Sequence, residues 1–280
     1  MTSKKKGCEK SGGKSTGLAE AKPPWDANNL LTIPMTYTHH ITRFGTTSTL
    51  VIQQDYDQGI GGVLWDCEIV LAHYIGKSEQ KCLATPLPRD YWRGKHVVEL
   101  GCGTALAALA CWVCGAHVIA TDLPAIVEKV TLRNVRANIE KADKKTQARM
   151  VCKNLEWGND THHGEVLKAC GQKPPDVIIA ADVIYLCEQY EPLLSTLRAL
   201  TEHNNLPTAT ALILTHRKRM GHQEEFLGPL EALFFVETII PVADVMGAEY
   251  PKPTLFILIC KRRTGAEGSE AGVHPEIYPT

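Results

Sequence analysis

The chain has 280 residues, 44% of them hydrophobic and 22% charged, with a formal net charge of −1. Those proportions suit a globular protein able to bury a full core. No apolar run approaches the roughly 20 residues that span a bilayer, and the N-terminal stretch lacks the apolar segment of a secretory signal, so neither a membrane nor a secretory protein is expected.

The charge is unevenly placed. Residues 1–24 carry six lysines and two glutamates, a net +4, which leaves −5 for the rest. An acidic body argues against nucleic acid as a partner and suits a basic protein substrate. Ten cysteines are scattered along the chain, several inside apolar segments. This pattern predicts reduced, packed thiols in a cytosolic or nuclear protein and no disulfide framework.

Residues 1–24, rich in Lys, Gly and Ser, predict a disordered tail. "GGKST" within it imitates a phosphate-binding loop, but Cys8 stands where the first glycine of that motif belongs, and no strand precedes it. Residues 25–75 form an N-terminal extension. There "YTHHITRF" and "STLVIQQ" flank "GTT" and predict a β-hairpin, and Gly61–Ile75 predicts an amphipathic helix opened by Gly-Gly. "SEQKCLATPLPRDYWRG" predicts a loop.

Over 76–263 strands and helices alternate. Strands are predicted at His96–Leu100, His117–Thr121, Met150–Lys153, Val177–Ala181, Ala209–Thr215, Phe235–Ile240 and Leu255–Lys261. Helices are predicted at Ala105–Cys114, Ala125–Ile139, Tyr190–His203 and His222–Leu233. Such alternation implies an α/β fold, a mostly parallel sheet covered by helices on both faces, with ligands bound at the carboxyl ends of its strands. Residues 264–280 predict a second disordered tail.

The first core strand runs into "VVELGCGTALAALA", Val97–Ala110. A dinucleotide fingerprint would need a third glycine at Leu106 and does not fit. An acid followed by G-x-G-x-G does fit, with Glu99, Gly101 and Gly103 in place and Ala105 for the last glycine. That pattern suits S-adenosylmethionine, whose cationic amine Glu99 would attract where a pyrophosphate would be repelled. The glycines let the backbone approach closely, and Ala105 is expected to lie already in the helix. Asp122, at the end of the next strand, is placed to accept hydrogen bonds from both ribose hydroxyls. Trp157 in "LEWG" is a candidate to cover the adenine, Trp65 stands before the sheet, and "IAADVIY" brings Asp182 and Tyr185 to the strand end where an acceptor meets the methyl group.

Other clusters are given bland readings. "CWVC" at Cys111–Cys114 has metal or redox spacing, but it lies mid-helix with no second pair, so it predicts core packing and no metal site. His162–His163 are expected in a solvated loop. Arg217, Lys218 and Arg219 fall at the rim of the site, as solvated loop or as substrate-docking patch.

Taken together, "GGVLWDCEIVLAHYI", "VVELGCGTALAALA", "VIATDL", "LEWG" and "AADVIYLCEQYEPLLSTL" resemble the seven-β-strand protein-lysine methyltransferases, which act on valosin-containing protein, the Hsp70 chaperone and translation elongation factors. The resemblance spans Ile41 to Arg262 and is most specific at Trp65–Asp66 and Asp182–Tyr185. It implies a Rossmann-like, seven-stranded class I methyltransferase sheet with S-adenosyl-L-methionine as cofactor, contacted by Trp65, Gly101, Cys102, Gly103, Asp122, Trp157 and Ala181. The implied activity is protein-lysine N-methylation of a non-histone cytosolic protein, a chaperone, AAA ATPase or elongation factor, by a monomer in the cytoplasm or nucleus. Asp182 would orient the acceptor amine, and Tyr185 would line its channel. Two departures stand out: Ala105 replaces a glycine, and Glu68 occupies a helix position that is usually small. The alternatives are another acceptor (a small molecule, an arginine or a histidine side chain) or a non-catalytic module of the same fold. "DVIY" lacks the prolines of the enzymes that methylate planar amines.

Overall fold

The computed structural model describes residues 35–43, 45–77, 87–88, 90–141, 148–204, 206–219, 223–248, 250 and 254–264. All of them belong to one compact unit, Ile33–Thr280. The tails expected at 1–24 and over nearly all of 264–280, and most of the loop from Ser78, lie outside the described residues.

Strands β1 (Thr36–Arg43) and β2 (Thr46–Gln53) form the expected antiparallel hairpin. The outer edge of β2 would expose unpaired backbone groups. Two asparagines one turn apart on a helix of the core cover it instead. Asn138 accepts from Val51 N (2.8 Å) and donates to Val51 O (2.8 Å), and Asn134 does the same for Gln53 (2.9 and 3.0 Å). Their side-chain amides thus continue the ladder and tie the extension to the core.

After the hairpin, Tyr56–Gly62 forms a 3-10 segment broken at Gly59, whose φ is +63°. Helix α1 begins only at Asp66 and ends at Gly76. The amphipathic helix expected from Gly61 is therefore shorter, and it is not amphipathic. Nine of its eleven residues are buried, because the core packs on one side of it and the hairpin strand β1 on another.

The sheet has seven strands: β3 (His96–Leu100), β4 (His117–Asp122), β5 (Met150–Asn154), β6 (Val177–Ala181), β9 (Ala211–Arg217), β10 (Phe234–Pro241) and β11 (Leu255–Arg262). Their order is β10-β11-β9-β6-β3-β4-β5, parallel except at β11 and β10. A two-residue ladder of β7 (Glu202–His203) and β8 (Leu206–Pro207) stands apart. The helices are α2 (Leu106–Val113), α3 (Pro124–Ile126) running through a π turn into α4 (Leu132–Ile139), α5 (Asp160–Ala169), α6 (Tyr190–Thr201), α7 (Gln223–Leu233) and α8 (Val242–Met246).

Alternation along the strands divides the core between the two faces. Val97 packs with α1 and α2, and Val98 packs with α6 and α7. Order reverses between β3 and β6, the switch point where a parallel sheet opens a crevice. Helix α5 corrects one expectation. The segment read as a polar loop is a helix capped by Asn159, whose side chain accepts from Thr161 N and His162 N. His163 on it is buried and hydrogen-bonds Thr196 Oγ1 at 3.0 Å. Cys111 and Cys114 are buried free thiols, as packing predicts.

Candidate functional site

A cavity of about 490 Å³ lies over the carboxyl ends of β3, β4 and β6. That size is within the roughly 300–1,000 Å³ usual for small-molecule sites. Its floor is the turn after β3. Gly101 has φ +63°, and a Cβ there would sit 3.3 Å from both the Trp157 ring and a Val183 methyl. Gly103 has φ +46°, and its Cβ would come within 3.1 Å of the Gly61 carbonyl oxygen. The two glycines are therefore required by backbone hand as well as by space. Ala105 differs from the expectation: it precedes α2 with φ +67°, ψ +26°, in the left-handed region. The dropped glycine was not replaced at a helical position; alanine carries a conformation that glycine would adopt freely.

Of the residues singled out in the sequence, Trp65, Gly101, Cys102, Gly103, Asp122, Trp157, Ala181, Asp182 and Tyr185 all line this cavity. Asp122 closes one side. Its Oδ2 accepts from Gly103 N (2.8 Å) and its Oδ1 from Leu123 N (2.7 Å), while burial pushes its carboxyl up from the usual range. Glu99 is set back: only 1% exposed and absent from the described lining, it lies under α2 and accepts from Ala108 N at 2.9 Å. Burial and the nearby Glu68 push its carboxyl well up.

The acid of α1 that lines the cavity on this side is Glu68, which sequence reasoning noted only as a departure. It accepts from Thr104 Oγ1 (2.9 Å) and Leu106 N (2.6 Å), and burial raises it to about 8. The signal was an acid inside an otherwise apolar helix. Glu156 and Asp182 add two more acids, and none of the described lining residues is Lys, Arg or His.

The end of the cavity at β6 is braced by two arginines of the segment at and after β9. Arg219 forks Asp182 from both nitrogens, 2.7 Å to each carboxylate oxygen. Arg217 holds the fully buried Asp66 at 2.8 Å. Neither arginine presents a free docking charge; both tie the β9 end to the site. Asp182 itself has φ +55°, a strained conformation for a non-glycine residue and one that clusters at functional positions. Tyr185 stands at the mouth, 39% exposed, its hydroxyl pushed up by burial. Trp65 is oriented by its indole N–H donating to Ile60 O at 3.0 Å.

Comparison with known proteins decides the family. The family model described as lysine methyltransferase matches residues 45–233. The chain belongs to the lysine methyltransferase family. Protein N-lysine methyltransferase METTL21A of Mus musculus is 32% identical over 193 residues, 68% of this chain and 77% of that protein. EEF1A lysine methyltransferase 3 of Xenopus tropicalis is 28% identical over 209 residues, 74% of this chain and 79% of that protein. Among solved structures, a TehB-like SAM-dependent methyltransferase from Corynebacterium glutamicum aligns at 14% identity with a TM-score of 0.44, covering 69% of this chain and 88% of that one.

This lysine methyltransferase is thus an S-adenosylmethionine-dependent enzyme acting on protein lysine. The residues present fit that cofactor. The glycine turn leaves room where any Cβ would intrude, two tryptophans flank the cavity, and charged lining residues that are all acids among those described suit a ligand with a sulfonium and an ammonium while repelling phosphates.

Proposed function

We propose that this lysine methyltransferase modifies a non-histone protein of the chaperone, AAA-ATPase or elongation-factor class, working as a monomer in the cytoplasm or nucleus. In this reading Trp65, Gly101, Cys102, Gly103, Asp122, Trp157 and Ala181 hold the cofactor, and Asp182 and Tyr185 receive the amine. The observation that carries the assignment of these residues is the set of acids from Asp122 to Asp182 within one cavity, with no described cation in its lining. One relative is named for elongation factor 1A, which supports that substrate class.

Bound there, S-adenosylmethionine supplies an electrophilic methyl group on a sulfonium. The chain's task is to present a lysine nitrogen with a free lone pair. A lysine of pKa about 10.4 must lose its proton, roughly 5 kcal/mol at neutral pH. An unopposed carboxylate beside the amine would hold that proton in place. Asp182 is not unopposed: with Arg219 forked onto both oxygens, its charge is largely balanced. It still offers lone pairs to orient a neutral amine, while the guanidinium and the desolvated site favour loss of the proton. Tyr185 at the mouth provides a ring face for the incoming lysine stem and cation.

The test pairs labelled cofactor with purified Hsp70-type chaperone, AAA ATPase and elongation factor 1A, using wild type and Asp182→Asn. Wild type is expected to label a lysine in one of the three. Asp182→Asn is expected to lower turnover about a hundredfold with cofactor affinity retained. Near-normal turnover in Asp182→Asn would refute its role; no label on any of the three would refute the substrate class.

A further inference from the structure

We propose that Glu68 is the carboxylate that receives the cationic amine of the cofactor's methionyl end. This rests on the cofactor reading above and deepens it. The beginning of a helix beside a glycine turn ordinarily receives an anion, because its free N–H groups point at the ligand. Here two of those groups are already engaged by the protein's own acids: Leu106 N donates to Glu68 and Ala108 N to Glu99. The start of α2 is thereby turned from an anion site into a support for carboxylates. Of the two acids, Glu68 lines the cavity.

Glu68 is also well placed to stay there. Thr104 Oγ1 holds one carboxylate oxygen and Leu106 N the other, which orients the group and leaves each oxygen further lone pairs. The titratable groups facing it are Glu99 from β3 and Asp122 from β4, both acids. Burial holds the Glu68 carboxyl near 8 without a cation. An ammonium arriving beside it reverses that pressure, so at neutral pH binding should release a proton from Glu68.

The experiment is calorimetric titration with S-adenosylhomocysteine and with its analogue bearing hydrogen in place of the α-amino group. Wild type, Glu68→Gln and Glu99→Gln are compared at pH 7 in buffers of different ionisation enthalpy. Glu68→Gln is expected to weaken the homocysteine compound about tenfold or more, the size of a charged hydrogen bond. It should weaken the deaminated analogue by less than about threefold and abolish the proton release. Glu99→Gln should affect both ligands alike. Thermal melts of each variant confirm folding independently of the ligand. Equal losses for both ligands in Glu68→Gln, or a selective loss in Glu99→Gln instead, would overturn the assignment. If wild type binds neither compound, the cofactor reading itself fails, a result distinct from the two above.

Discussion

Glu68→Gln also makes a prediction about the protein without any ligand. The carboxyl is raised from 4.5 to about 8 by burial. Between those two pH values the unfolded chain has released a proton that the folded chain keeps, so stability falls as pH rises through the window. A gap of roughly three and a half pH units, at ~1.4 kcal/mol each, sets a ceiling of about 5 kcal/mol for the loss. Glutamine removes the ionisation but turns one acceptor oxygen into an NH2 donor, so with the amide oxygen kept on Leu106 N–H the Thr104 hydroxyl must accept where it donated and its own proton loses that partner, at a cost of about 1–3 kcal/mol. The net expectation is a sign reversal. At pH 8.5 Glu68→Gln should be more stable than wild type by about 2–3 kcal/mol, a melting shift on the order of 5–10 °C for a domain of this size. At pH 5 it should be the less stable of the two by about 1 kcal/mol. Urea unfolding followed by tryptophan fluorescence at both pH values measures this directly. A difference between variant and wild type that does not change with pH would show that the carboxyl titrates normally and refute the reasoning.

Three further outcomes follow from the geometry. Ala105→Gly should leave the melting temperature within about 2 °C of wild type, because relief of left-handed strain, roughly 1–2 kcal/mol, is offset by the added freedom of the unfolded chain, ~0.4–1 kcal/mol, and by loss of a fully buried methyl group, about 0.8 kcal/mol; a fall of more than about 5 °C would contradict it. Gly103→Ala should destabilise the fold by about 1–3 kcal/mol and reduce S-adenosylhomocysteine binding in calorimetry, since φ is +46° and the new methyl group would meet the Gly61 carbonyl at 3.1 Å. His39 and His73, edge to face with centroids 4.6 Å apart, are each lowered to about 4 by burial. The unfolded chain therefore takes up protons first, and stability should fall as pH drops from 6.5 toward 4, with a shallower fall in His39→Gln when melting temperature is plotted against pH.

The division between what was legible in the sequence and what was not follows the distance over which each feature is determined. The sheet could be read because a parallel strand buried on both faces is an apolar run bounded by turns: His96–Leu100 and Val177–Ala181 match to the residue. Helix α5 escaped because only Val166 and His163 of its ten residues are buried, too few to show a period; the cap at Asn159 was the available signal. The glycine turn, Asp122 and the Asp182–Tyr185 element were legible because each lies at its own strand end. The roles of Glu68 and Arg219 were not, because their partners Thr104 and Asp182 stand 36 and 37 residues away. A negative charge near a glycine turn is visible in the string. Whether it faces a ligand or caps a helix depends on which N–H groups its neighbours already occupy. That is why Glu99, the acid in the motif, lies behind α2 while Glu68, from another helix, faces the cavity. The stability lost by keeping Glu68 there is itself an argument for its role: a buried acid hydrogen-bonded to Thr104 and Leu106 N, whose titratable neighbours are themselves acids, is simple to account for if a cation completes it.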